Sequence, residues 1–294
     1  MTAWAQLTPR KMLLMTTLLH TLKEGLTLRS REILEALGRL QWTGQAYPLL
    51  KPFLQPLYAW QRATHTAGRP PLLVRFLACC MLRLLEWPQR DRKRNPTPST
   101  WYGASDARAN ETTAEIGGWI CNKRPPTKDE CYWFNLTMDK QTHSWAFDKG
   151  TPQQRIAALE LYGTALLYKS LLEKQASSQI QIYLPMMTDN QGNAYSILNN
   201  NTRKWPCSAI VMEIATLSQA HNAVPAIQHK KREESTWADD LSNGNFTGFC
   251  ERRRLSISDR LPNFWIVFQD IIDAHKTGQA AASGAEPRRS KHVK

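Results

Sequence analysis

A basic, proline-rich stretch, Trp87-Pro-Gln-Arg-Asp-Arg-Lys-Arg-Asn-Pro-Thr-Pro98, cuts the chain into two parts of different texture. It offers nothing to bury, and its three prolines withhold the N–H groups that a helix or a central strand needs, so it reads as a linker. Before it the apolar pattern is helical. After it come short segments of strand character, then longer apolar runs of helical period broken by single short strands. Strands first, followed by helices interleaved with strands, indicate an α/β (α+β mixed) domain on a mixed sheet.

The charge follows the same division. The 294 residues carry a net +13, of which residues 1–98 hold +10, residues 99–250 hold −1 and residues 251–294 hold +4. A near-neutral body between basic flanks suits an anionic partner, nucleic acid above all. A content of 42% hydrophobic residues with 14 Gly and 17 Pro excludes collagen, a simple coiled coil and a wholly disordered chain. The apolar stretches at 12–19 and 72–85 are too short or too broken to span a bilayer, and no signal peptide is legible, which predicts an intracellular protein of nucleus or cytoplasm with no membrane partner. The cysteines at 79, 80, 121, 131, 207 and 250 form no CxxC pair and lack histidines at ligand spacing, so reduced structural thiols are expected rather than a zinc module. The eleven tryptophans are scattered and read as packing residues, and no GxSxG context supports a serine hydrolase.

Element by element, the spacing predicts a helix over 26–40 with Ser30 as N-cap and Gly38 near its end, and another over 72–86 opened by Pro70 and Pro71. Pro48, Pro52 and Pro56 predict short turns or an extended run over 47–60. Past the linker, strands are expected at 101–107, 112–121, 131–136 and 143–147, and a helix at 151–174 started by Thr151 and Pro152. Then follow a strand at 179–183, which Pro185 should shorten or bend, helices at 190–200 and 208–220, a strand at 224–228, and helices at 237–241 and 263–275. From Thr277 the small, polar, basic tail is expected to be disordered.

Four acids stand at the ends of these elements rather than on solvated faces: Asp106, Glu160, Asp189 and Asp239. Apart, each would be costly to desolvate. Together they would repel and raise one another's pKa unless divalent cations held them. Three or four carboxylates suit magnesium, and a pair of such ions suits phosphodiester hydrolysis.

Residues 99–250 resemble the ribonuclease H domain of retroelement reverse transcriptases. The matching texts are Ser105-Asp106-Ala107 with Gly117-Gly118-Trp119, then Ile156-Ala-Ala-Leu-Glu160-Leu, then Thr188-Asp189-Asn190-Gln191-Gly192-Asn193, and Arg232-Glu233 leading to Ala238-Asp239-Asp240-Leu241-Ser242-Asn243. The resemblance implies a ribonuclease H-like five-stranded mixed sheet flanked by helices and two Mg2+ (or Mn2+) ions. The metal-binding carboxylates it implies are Asp106, Glu160, Asp189 and Asp239. Asp240 rivals Asp239, which is preferred because Ala238 directly precedes it. His229 stands too far upstream for the family's catalytic histidine.

Upstream, Leu37-Gly-Arg-Leu-Gln-Trp42 and Tyr47-Pro-Leu-Leu-Lys-Pro-Phe-Leu-Gln-Pro-Leu57 resemble the thumb or connection region that follows a reverse-transcriptase palm, while the palm's paired aspartates do not occur. The implied layout is a helical segment at 1–87, the linker at 88–98, the ribonuclease H-like domain at 99–250, a helical extension at 251–276 and the tail at 277–294. The implied activity is cutting of the RNA strand of RNA–DNA hybrids, with the polymerase part of the same polyprotein as a partner; the alternative is an inactive relic that still binds nucleic acid. Phosphate contacts are assigned to Arg29, Arg31, Arg39 and Lys51 on the arm and to Arg90, Arg92, Lys93 and Arg94 on the linker, and nucleic-acid contacts also to Asn190 and Arg232 within the matched texts.

Overall fold

The computed structural model describes residues 8–86, 97–175, 180–230 and 236–283, with side chains up to residue 278. The described residues fall into two units. One takes the chain up to Ala46, then Phe53–Arg83, and the chain from Gln269 on; the other takes Tyr47–Pro52 and Leu84–Phe268. The linker expected at 88–98 lies outside the described residues except for Thr97 and Pro98.

The first unit is helical. Helix α1 (Pro9–Glu24) ends at Gly25, whose φ of 73° closes the helix in a left-handed cap. Strand β1 (Leu28–Arg29) pairs antiparallel with β2 (Ala67–Gly68), and α2 (Ser30–Ala46) follows β1 directly. Gly38 therefore lies inside the helix and does not end it, because Ile33, Ala36, Leu37 and Leu40 bury one continuous face. The stretch over 47–60 corrects the sequence-based expectation more sharply. After a 3-10 turn at Pro48–Leu50, α3 (Lys51–Ala63) runs through Pro56. Pro52 sits in the first turn, where no N–H is needed. Pro56 removes one interior hydrogen bond, but Phe53, Leu54 and Leu57, each no more than 1% exposed, hold the helix by burial. Helix α4 (Leu72–Glu86) follows.

The second unit is mixed α/β, a mixed sheet flanked by helices. Its strands are β3 (Thr97–Pro98), β4 (Tyr102–Ala109), β5 (Ala114–Cys121), β6 (Tyr132–Met138), β7 (Ile182–Thr188) and β8 (Ala223–His229). Strands β4, β5 and β6 form an antiparallel meander, β7 lies parallel to β4, and β8 lies parallel to β7 on its far side. The short β3 pairs with Ile182 and Tyr183 of β7, upstream of the residues that β4 pairs. Together β3 and β4 make one interrupted strand, so the sheet is five strands wide although it counts six segments. Pro185 neither shortens nor ends β7. It sits where the partner on one side changes from β3 to β4, so the missing N–H falls at a break in the ladder.

Helices α5 (Ile156–Lys174) and α7 (Cys207–His221) pack together, with α5 against the sheet; both are buried on nearly every side. Helix α6 (Gln191–Leu198) lies between β7 and α7 in the chain, and α8 (Thr236–Ser242) covers the opposite face of the sheet. The 143–147 stretch is not a strand but a 3-10 turn, Ser144–Ala146, with Trp145 and Ala146 buried. The helix expected from 263 begins only at Phe268 and runs to Ser283 as α9, so the ordered chain also extends past Thr277. Its start is set by the buried Glu213 carboxylate, which accepts the N–H groups of Ile266, Val267 and Phe268 at 2.9, 2.7 and 2.8 Å. All six cysteines are free thiols, and among the described residues no helix is long and apolar enough to cross a membrane.

The Gly117-Gly118 pair has a steric cause. A Cβ on Gly117 would stand 2.3 Å from the Ser242 backbone nitrogen, and one on Gly118 2.4 Å from the Phe134 ring. Gly117 thus lets α8 settle directly on β5. Gly117→Ala is expected to cost about 1–3 kcal/mol, because the obstacle is backbone that must move as a body. Urea denaturation measures it; an unchanged midpoint would show that α8 is not seated on that strand.

Candidate functional site

Backbone register is what brings the acids together. Gly103 and Ala104 of β4 pair with Met186 and Met187 of β7. Continuing that parallel register by two residues sets Asp106 beside Asp189, which leaves the C-terminal end of β7. Glu160 enters from the second turn of α5, on the neighbouring layer. Asp106, Glu160 and Asp189 each bring one carboxylate oxygen to within 4.8 Å of the others. Among the described residues this is the one group of three or more acidic, histidine or cysteine side chains so placed.

Asp239 arrives from the first turn of α8, and its charge adds to the repulsion felt by Asp106, though its oxygens are not within that trio's spacing. Its backbone carbonyl accepts the Ser242 hydroxyl at 3.0 Å and the Asn243 amide at 2.7 Å. Asp240 is engaged elsewhere: it receives Lys128 Nζ at 2.8 Å and Asn245 Nδ2 at 3.2 Å. Adjacent helical residues point about 100° apart, so the phase of α8 on Gly117 turns one toward Asp106 and the other toward Lys128.

Asp106 is 8% exposed and its pKa is pushed up from 3.8 to about 6. Burial is the largest cause, followed by the charge of Asp189, with a smaller contribution from Asp239. The Ser242 hydroxyl, 3.0 Å from Oδ2, and the Ala107 backbone N–H pull the other way. Such a cluster of like charges is unfavourable by itself, and a divalent cation would relieve it. The donor set, all carboxylate oxygen on a buried Asp106 and half-buried Glu160 and Asp189, suits a hard ion such as Mg2+ or Mn2+.

Two further side chains close on the site. Asn190 donates its amide to Glu160 Oε2 and caps α6 by accepting the Asn193 N–H at 2.9 Å. The nucleic-acid contact expected of Asn190 thus has to compete with bonds inside the fold. His229, at the end of β8, has Nε2 2.9 Å from the Asp189 carbonyl oxygen. Spacing along the chain sets His229 apart from Asp239, whereas the β7–β8 pairing, Thr188 opposite His229, sets it beside Asp189. The remaining basic candidates divide. Arg31 and Arg39 are exposed on α2 and share Glu35, at 3.3 and 4.0 Å, and Arg29 lies in β1 with its backbone N–H on Glu32. Lys51 opens α3, while Arg90, Arg92, Lys93, Arg94 and Arg232 lie outside the described residues.

No protein-family model and no curated protein matches the sequence. Solved structures do resemble it. A ribonuclease H1 named LC11, crystallised with an RNA/DNA hybrid, is 14% identical over 50% of this chain and 96% of its own, with a TM-score of 0.36. The ribonuclease H1 of the halophilic archaeon Halobacterium salinarum is 11% identical over 49% of this chain and 96% of its own, with a TM-score of 0.33. A foamy viral protease-reverse transcriptase in complex with double-stranded DNA is 9% identical over 51% of this chain and 95% of its own, with a TM-score of 0.32. With identities this low and TM-scores this small, the fold rests on the strand order itself.

Proposed function

We propose that residues 99–250 are a metal-dependent endonuclease that hydrolyses the RNA strand of RNA–DNA hybrids, as the C-terminal part of a retroelement reverse transcriptase. The observation that carries this reading is the meeting of Asp106, Glu160 and Asp189 from three separate elements, within 4.8 Å. In it these three and Asp239 hold two Mg2+ or Mn2+ ions, and Asp240 is left to its ion pair with Lys128. Bound there, the ions would supply an activated water and a counter-charge for the leaving oxygen. The carboxylates serve as ligands, not as nucleophiles. Ser242 keeps Asp106 oriented by its hydroxyl, and the tight seat of α8 on Gly117 keeps Ser242 and Asp239 in place. Preference for RNA would come from contacts to the 2′-hydroxyl, and grip on the hybrid from Lys and Arg on its phosphates.

The test is cleavage of an end-labelled RNA–DNA hybrid in Mg2+, in Mn2+ and in chelator. Cutting in metal alone supports the proposal. The charge of +10 on residues 1–98 favours a second reading, a nucleic-acid-binding relic without activity, since phosphate binding needs no catalysis. Binding of hybrid without cutting in either metal would decide for that one. In both readings, reversing Arg29, Arg31, Arg39 and Lys51 to Glu is expected to flatten the slope of log affinity against log salt, by roughly one for each phosphate no longer neutralised. A slope unchanged in the fluorescence-anisotropy titration would leave these four as solvated surface.

A further inference from the structure

We infer that Asn190 is a positioning residue that holds Glu160 for the metal, an inference that rests on the metal-site reading above. Asn190 is the N-cap of α6, and its Oδ1 accepts the Asn193 N–H at 2.9 Å. That bond settles which end of the amide faces which way, because only the oxygen can accept an N–H. The Nδ2 group is thereby turned to Glu160, where it meets Oε2, an acceptor with no proton to give when ionised. One planar amide therefore joins the start of α6 to a carboxylate on α5.

A second tie runs parallel to it. Asn193, 5% exposed, donates Nδ2 to the Ala157 carbonyl at 2.9 Å. Residues 190 and 193 are three apart at the start of α6, and their partners 157 and 160 are three apart on α5, so the first turn of one helix is laced to the first turns of the other. Because Asp189 immediately precedes Asn190, the same turn that carries one acid of the trio fixes the position of another. Glutamate has more rotatable bonds than aspartate, and Glu160 is the one glutamate of the trio, so it has the most freedom to lose when an ion binds. A donor that keeps one oxygen placed removes part of that freedom beforehand. This goes beyond the metal site itself: it assigns to Asn190 a duty toward Glu160 and not toward nucleic acid.

Two substitutions in the full chain separate the two bonds. Asn190→Ala loses both. Asn190→Ser keeps a side-chain oxygen suited to capping α6, but its hydroxyl stops one bond short of where the amide nitrogen stands. Mn2+ binding is read by electron paramagnetic resonance or calorimetry, and the unfolding midpoint is measured in chelator. The expected result is a Mn2+ affinity lowered about 10- to 100-fold in both variants, with the unfolding midpoint lowered only in Asn190→Ala. If Asn190→Ser regains affinity together with stability, Asn190 is merely a cap and the inference falls. Wild-type affinity in both variants likewise overturns it while leaving the metal site standing. No Mn2+ bound by the unmutated chain would sink the metal reading and this inference with it.

Discussion

Asp189→Asn is expected to abolish metal-dependent cutting of the hybrid while leaving hybrid binding nearly intact. Asparagine keeps the size of the side chain and one acceptor oxygen, but it removes the charge that holds a hard cation. Metal ions contribute several kcal/mol to such reactions, so the loss should be on the order of 1000-fold or more in rate. Binding rests on Lys and Arg against phosphate and should change little. Asp240→Asn is the matched control. Its carboxylate is tied to Lys128 and Asn245, so its removal should leave the rate within a few fold of the parent, at the level of a partly exposed ion pair. Single-turnover cleavage of a labelled hybrid reads both. Equal losses at 189 and 240 would contradict the division of labour that the geometry supports, and loss of binding at 189 would point to a folding defect instead.

The second large effect is on stability, with a sign that depends on pH. Asp106 titrates near 6 in the metal-free fold against an ordinary value of 3.8. Between those two values the unfolded chain has released the proton and the folded chain still holds it, so stability falls as pH rises through the window. Below 3.8 both states are protonated and the group costs nothing; above 6 the full cost stands, about 3 kcal/mol for a shift of this size. Asp106→Asn cannot ionise and still accepts the Ser242 hydroxyl. In chelator it should therefore be more stable than the parent by about 3 kcal/mol at pH 8, and should match it near pH 3. Adding Mg2+ should shrink the difference, since an ion that binds only the folded parent stabilises it. Urea denaturation at several pH values, with and without metal, gives the curve. A difference between the two proteins that does not vary with pH would mean that burial and the neighbouring acids do not raise this pKa.

The kinds of element in the second unit, and the order of its acids, are written into the chain locally. Strand and helix periods are properties of side chains that alternate or recur every three to four residues. They place Asp106, Glu160, Asp189 and Asp239 on a strand, a helix, a strand end and a helix start without any knowledge of the sheet. Local signals misled where burial outweighed them. Pro56 lies inside a helix because Phe53, Leu54 and Leu57 are buried, and α9 starts at Phe268 because Glu213, 55 residues earlier, takes the N–H groups there. Which acids meet is a matter of tertiary packing alone. It depends on the offset between β4 and β7, parallel strands separated by more than 70 residues, and no pattern within either strand records it. The choice between Asp239 and Asp240 depends on the rotation of α8 on the glycine surface of β5, and the role of Asn190 on the approach of α6 to α5. Each is a contact between elements far apart in the chain, set by packing that no single element contains.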